Sequence, residues 1–261
     1  MSSARELVLI YQMGKVASST IKASILPLPR YEVHQVHRLV PSNIERVYRE
    51  HRRRGWPMPT GDPGGIYLQR DLHARRPAKV ITLVREPIGR NISYYFQNLD
   101  KILGRSHAHE LPLQAVIDGY PPEFPYSDDP LTWFDYEFNA ALGANVYESG
   151  WAPGMNAHRW RAGVYDILIL RCDAADDTKR EALREFLDAP ALSLRQANVT
   201  SAKPSAAMHR AFRQNVRFPA AYVDRMLGSR YANFFFDAAS LAQWRRAYTE
   251  SGSMTPRLLK T

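Results

Sequence analysis

Gly14-Lys15-Val16-Ala17-Ser18-Ser19-Thr20 sets a lysine and three hydroxyls in one short stretch, directly after the apolar run Leu7–Tyr11. A turn of this kind opening a helix gathers unpaired backbone N–H groups where the macrodipole favours an anion, and Lys15 adds a full positive charge. The ligand implied carries phosphate or sulfate. The spacing departs from that of a Mg²⁺-dependent nucleotide hydrolase, which needs a glycine four residues ahead of Gly-Lys and a Ser or Thr directly after the Lys. Those places hold Leu9 and Val16. Charge neutralisation then falls to backbone and side-chain donors, with no metal ion.

Val84-Arg85-Glu-Pro-Ile-Gly-Arg90-Asn-Ile-Ser93 is a second such cluster. Arg85 stands where an apolar run ends, and Ser93 lies about two helical turns into the segment that follows. Arg85, Arg90 and Ser93 read as a second anion site, with Pro87 suited to the first helical turn.

The elements that must position these residues alternate. Leu7–Tyr11 reads as a strand, Ile21 and Ile25 share the face of a helix reaching Pro27, and Tyr31–Val36 reads as a second strand. Ser42 or Asn43 can cap a helix carrying Ile44, Val47 and Tyr48. Gly55–Gly65 reads as a surface loop, and Lys79–Val84 as a buried strand. Ile88, Ile92, Tyr95, Phe96, Leu99 and Leu103 then form one continuous helix face. Residues 111–160, aromatic and proline-rich, read as a helical insertion shaping an acceptor cleft. Val164–Leu170 is a further strand, Thr178–Leu187 a helix with Leu183, Phe186 and Leu187 inward, and Ser205–Tyr248 is helical. This is an α/β single domain, a P-loop-like central parallel sheet flanked by helices, and such sheets bind ligands outside the carboxyl ends of their strands.

Composition bounds the partners. Thirty-five Lys and Arg against 26 Asp and Glu give a net charge of +9 over 261 residues, which fits a phosphate-, sulfate- or carboxylate-rich partner. The basic runs His51–Arg54, Arg75-Arg76 and Arg245-Arg246 read as solvated helix faces. A lone cysteine, Cys172, excludes an internal disulfide framework or a cysteine zinc cluster and points to a reducing compartment. Apolar runs are too short to span a bilayer, and Leu7–Tyr11 lacks the flanks of a signal peptide, so a soluble, cytoplasmic protein is expected.

Together, the Gly-Lys-x-x-Ser-Ser-Thr loop and the Arg-x-Pro-x-x-Arg-x-x-Ser element resemble those of sulfotransferases that use 3′-phosphoadenosine 5′-phosphosulfate. The wording Tyr11-Gln-Met-Gly-Lys-Val-Ala-Ser-Ser and Val80-Ile-Thr-Leu-Val-Arg-Glu-Pro looks most like bacterial carbohydrate sulfotransferase relatives of capsular polysaccharide synthesis. The resemblance implies that Gly14, Lys15, Ala17, Ser18, Ser19 and Thr20 hold the 5′-phosphosulfate and that Arg85 and Ser93 hold the 3′-phosphate. Asn198-Val-Thr-Ser-Ala-Lys203 looks like a further donor-binding segment of that family, with Lys203 facing the 3′-phosphate, although Lys-Pro-Ser replaces the expected aromatic residues.

In-line sulfuryl transfer needs charge stabilisation on the bridging oxygen, for which Lys15 serves, and a base for the acceptor proton. His37 is the first candidate and His34 the second, both at the end of the second strand, where some glycan sulfotransferases carry a catalytic His; Asp71 and His73 stand behind them. The acceptor implied is a carbohydrate or lipid-linked hydroxyl, with Tyr120, Tyr126, Trp133, Tyr136 and Trp151 suited to stacking on sugars. Two other functions compete. A P-loop kinase or NTPase needs a carboxylate where Arg85 stands, and a non-enzymatic binder of nucleic acid or anionic glycan would rely on Arg52–Arg54.

Overall fold

A computed structural model describes residues 5–59, 63–121, 123–124, 126–197 and 204–249, with 63–67 described in backbone only. They gather into two compact units, Met1–Val84 with Thr132–Trp151 and Met155–Ala197, and Arg85–Leu131 with Ala152–Gly154 and Asn198–Thr261.

The first unit is built on a five-stranded sheet in the order β2-β1-β3-β5-β4, from β1 (Glu6–Tyr11), β2 (Tyr31–Val36), β3 (Ala78–Val84), β4 (Ala157–Ala162) and β5 (Tyr165–Arg171). Four strands are parallel and β4 runs antiparallel to β5. Leu7–Tyr11, Val80–Val84 and Ile167–Leu170 are buried throughout, as expected of strands covered on both faces. Helix α1 (Ser18–Ile25) links β1 to β2; α2 (Pro41–Arg53) and α3 (Pro63–His73) lead on to β3. Because β2 pairs on one side of β1 and β3 on the other, the loop leaving β1 lies at the point where strand order reverses, the usual ligand crevice of open α/β sheets.

Several elements differ from the sequence expectation. The expected loop over 55–65 gives way to α3 from Pro63, a residue suited to a first helical turn. Helix α2 begins at Pro41 after Val40, so Ser42 and Asn43 lie inside its first turn and not at the cap; the Asn43 amide donates to Tyr136 O at 2.8 Å and to Glu137 Oε2 at 2.6 Å. Strand β4, with His158, Arg159 and Arg161 in its six residues, has no buried position. It is a charged edge strand, the kind that resists further pairing and carries no apolar signature.

The second unit packs α4 (Pro87–Gln97), α5 (Leu99–Leu103) and α6 (Leu113–Asp118) with α10 (Ala206–Asn215), α11 (Ala220–Leu227), α12 (Arg230–Phe235) and α13 (Ala238–Thr249). Ile88, Ile92, Tyr95 and Leu99 enter one core with Phe212, Val223, Met226 and Tyr248. The expected single helix to Leu103 is broken at Asn98, where φ is −114° and ψ 22°. The Asn98 side chain donates to Tyr94 O at 3.0 Å, the backbone competition that makes Asn a poor mid-helix residue, yet the apolar face continues across the break.

Between Thr132 and Trp151 the first unit continues with the end of α7 (Asp129–Trp133), a π-helix over Phe134–Asn139 and α8 (Ala140–Leu142), and α9 (Asp176–Phe186) follows β5. Leu183, Phe186 and Leu187 are buried as expected. Among the described residues no helix is long and apolar enough to cross a membrane.

Candidate functional site

The backbone of the loop after β1 turns left-handed at three places, Gly14 (φ 84°), Lys15 (φ 63°) and Ala17 (φ 64°). Left-handed Lys and Ala cost about 1–2 kcal/mol each, so the loop is held against its local preference. Alternation of left- and right-handed residues turns successive N–H groups into one concavity. Ala17 is the residue before α1 and, as an alanine, supplies no side-chain acceptor to cap the leading N–H groups of that helix.

Gln12 is the hub of this loop. Its N–H extends the ladder to Val36 O at 3.3 Å, and its Oε1 accepts the Gly14 N–H. Its Nε2 donates to Ser18 Oγ at 2.8 Å and lies 3.0 Å from His37 Nδ1. Gln35 Nε2 also donates to Ser18 Oγ at 2.8 Å. With both lone pairs of that hydroxyl taken, its proton is what Ser18 has to offer a ligand, and a ligand that accepts is an anion or a carbonyl. Lys15 and Ser19 are half-buried beside it. Thr20 turns its hydroxyl to the backbone of Ala197, at 3.4 Å from both N and O.

His37 stands against this loop. A Cβ built on Gly14 would lie 3.8–3.9 Å from three atoms of its ring, and its Nδ1 is 2.9 Å from Gln12 O. The segment that carries it is pinned. Trp133 Nε1 donates to His37 O at 3.0 Å, and the N–H groups of Leu39 and Val40 both donate to Glu137 Oε1. Glu137, in the π-helix and 1 % exposed, also takes the Tyr11 hydroxyl at 2.6 Å.

His34 lies differently. Its Nε2 is 2.9 Å from Glu32 Oε1, and Glu32 in turn binds Arg76, which binds Asp71 at 3.0 Å. The His34 hydrogen bond, with Arg76 beside it, holds the Glu32 carboxyl below its usual range. His34 and Asp71 thus belong to an ion-pair network along edge strand β2, and His73 is exposed at the end of α3.

In the second unit, Arg85 is fixed through its backbone. The Tyr231 hydroxyl accepts from Arg85 N at 3.0 Å and donates to Arg85 O at 2.8 Å. Glu86 caps α4, accepting from Ile88 N at 2.6 Å, Gly89 N at 2.5 Å and the Tyr248 hydroxyl at 3.0 Å. Full burial raises the Glu86 carboxyl and pushes the Tyr248 hydroxyl well up. Ser93 is half-buried on α4. Arg90 does not join an anion site. It is 2 % exposed and engages Asp129 at 3.0 Å, Tyr126 O at 2.7 Å and Asn91 Oδ1 at 3.1 Å. Asn198 and Lys203 lie outside the described residues.

Of the five aromatics expected to stack on sugars, Tyr120, Trp133 and Trp151 are core residues, whereas Tyr136 is 71 % exposed. Gln12, Gln35, Glu137 and Tyr231 were not anticipated. Glu137 had a signal, a carboxylate, with Asp135, embedded among the aromatics of Trp133-Phe-Asp-Tyr-Glu-Phe138. Gln12 had a weaker one, a polar residue ending a buried strand. Comparison with protein-family models, curated proteins and solved structures yields no match to this chain.

Proposed function

We propose that the protein is a sulfotransferase that moves a sulfuryl group from 3′-phosphoadenosine 5′-phosphosulfate to a hydroxyl of a carbohydrate or lipid-linked acceptor. The observation that carries the reading is the Gln12–Ser18 loop, in which Gly14, Lys15 and Ala17 are left-handed, Ala17 brings no capping side chain, Ser18 Oγ accepts two amide protons and so keeps its own for a ligand, and His37 stands against Gly14. That set offers an anion cradle with a base against it.

In the reaction, the acceptor oxygen attacks sulfur in line as the bond from sulfur to the bridging phosphate oxygen breaks. The bridging oxygen leaves with 3′-phosphoadenosine 5′-phosphate, its charge met by Lys15 and the loop N–H groups. His37 takes the acceptor proton at Nε2, and the Gln12 carbonyl, 2.9 Å from Nδ1, steadies the imidazolium. His34, held by Glu32, is not given that role. Arg85 and Ser93 are assigned the 3′-phosphate, as the sequence resemblance implies.

Two features disfavour a Mg²⁺-dependent kinase. Val16, where a metal-binding hydroxyl would stand, is buried. The first carboxylate after β3, Glu86, has its oxygens engaged by Ile88 N, Gly89 N and the Tyr248 hydroxyl. The test is the thermal shift with 3′-phosphoadenosine 5′-phosphate, with and without Mg²⁺, against ATP, in wild type, Lys15→Ala and Arg85→Ala. At a hundredfold excess over Kd, binding adds about 2.7 kcal/mol and several degrees. A metal-independent shift, lost in both variants, is expected. A shift seen only with ATP and Mg²⁺ would transfer the loop to kinase chemistry.

A further inference from the structure

We propose that Gln12 is a positioning residue that decides which nitrogen of His37 carries the proton, and that an oxyanion entering the loop reverses the decision. This rests on the reading of the loop as an anion cradle and of His37 as its base.

The orientation of the Gln12 amide is fixed by its own turn. Oε1 accepts the Gly14 N–H, so the NH₂ end faces Ser18 and His37. One of its protons goes to Ser18 Oγ at 2.8 Å and the other points at His37 Nδ1, 3.0 Å away. A nitrogen that accepts from an amide carries no proton of its own, so this contact calls for the proton on Nε2, where Nε2 is a donor and takes no proton from a hydroxyl.

A second acceptor waits at the same nitrogen. The Gln12 backbone carbonyl lies 2.9 Å from Nδ1 and suits the other tautomer, in which Nδ1–H donates and the Nε2 lone pair is exposed as a base. An oxyanion in the loop competes for the donors that hold the amide in place, the Gly14 N–H and the Ser18 hydroxyl. When Gly14 N–H turns to the anion, Gln12 Oε1 loses that donor and the amide is released from Nδ1. One proton then leaves Nε2 to water and one arrives at Nδ1 from water, with no net change. The base is thereby armed when the donor is bound, which protects the loop from wasteful proton chemistry in its absence.

The test is the ¹⁵N spectrum of His37, assigned by its loss in His37→Gln, in the full-length protein alone, with inorganic sulfate and with 3′-phosphoadenosine 5′-phosphate. The Nε2–H form is expected without ligand, and the tautomer ratio should reverse by about tenfold with either anion, the worth of one hydrogen bond. Gln12→Met, near in volume, should show the Nδ1–H form before any ligand is added. A wild-type spectrum already in the Nδ1–H form, or unchanged with sulfonucleotide bound by thermal shift, would overturn the inference and leave the sulfotransferase reading standing. Reversal by sulfate with no binding of the sulfonucleotide would uphold the inference and remove the reading. Absence of binding by both anions would overturn both.

Discussion

A carboxylate buried among aromatics costs several kcal/mol unless its oxygens are filled, and Glu137 fills them with Tyr11 Oη, the N–H groups of Leu39 and Val40 and the Asn43 amide. Glu137→Gln keeps the Oε1 partners and opposes one NH₂ to another at Asn43, so a loss of about 1–2 kcal/mol is expected in urea unfolding. Glu137→Ala strands two backbone N–H groups and should cost about 3 kcal/mol or more. If Ala proved milder than Gln, the carboxylate would not be the anchor of the His37 segment. Gly89 is constrained differently. A Cβ there would sit 2.6 Å from Glu86 Oε2, and that oxygen cannot swing away without releasing the Gly89 N–H and the Tyr248 hydroxyl. Gly89→Ala should therefore destabilise by about 1–3 kcal/mol. Pairing it with Glu86→Ala should recover part of that loss, measured as a double-mutant cycle.

At the level of elements, α12 fixes the start of the α4 segment through one hydroxyl, since Tyr231 both accepts from and donates to the Arg85 backbone. Tyr231→Phe should cost about 1–2 kcal/mol in urea and weaken the thermal shift with 3′-phosphoadenosine 5′-phosphate. An unaltered shift would detach Arg85 from donor binding. On α2, hydrogen bonds from Arg53 and Arg54 hold Glu50 at about 2, from 4.5. Its contribution is therefore present above pH 4.5 and lost as pH falls toward 2. The pairs are largely solvated, so Glu50→Gln should flatten the acid limb of stability by less than about 1 kcal/mol. How far such elements could be read from the sequence follows from where their energy comes from. Strands β1, β3 and β5 are legible because burial on both faces leaves apolar runs, and the Gly14-Lys15 turn because glycine marks a left-handed position. Strand β4 was not legible, because its energy is in backbone pairing to β5 and its side chains are charged. Nor were the left-handed Lys15 and Ala17, whose residue types favour other conformations. The link from Glu137 to Leu39 crosses 98 residues and that to Tyr11 crosses 126, separations at which no local pattern survives. The helix break at Asn98 had its signal in the asparagine itself, outvoted by the continuous apolar face.

Across the whole chain the surplus of +9 raises the local concentration of any anion, but its arrangement separates two kinds of partner. Four of the seven arginines of the basic runs pair with neighbours: Arg53 and Arg54 with Glu50, Arg76 with Glu32 and Asp71, and Arg245 with Asp224. A nucleic-acid surface would need these guanidiniums turned outward to phosphates along a strand, whereas a small sulfonucleotide needs only the loop at β1 and the charge field around it. The two respond differently to salt. A binder that neutralises six to ten phosphates loses about 10³–10⁵ in affinity between 50 and 200 mM salt. Binding of one compact anion, screened over a Debye length of about 7–14 Å in that range, should weaken only several-fold, within about tenfold. Isothermal titration with 3′-phosphoadenosine 5′-phosphate across that salt range is therefore expected to give a shallow slope, unchanged in Arg53→Gln/Arg54→Gln. A steep slope, or one that collapses when those two arginines are replaced, would move the principal anion site from the β1 loop to the α2 face.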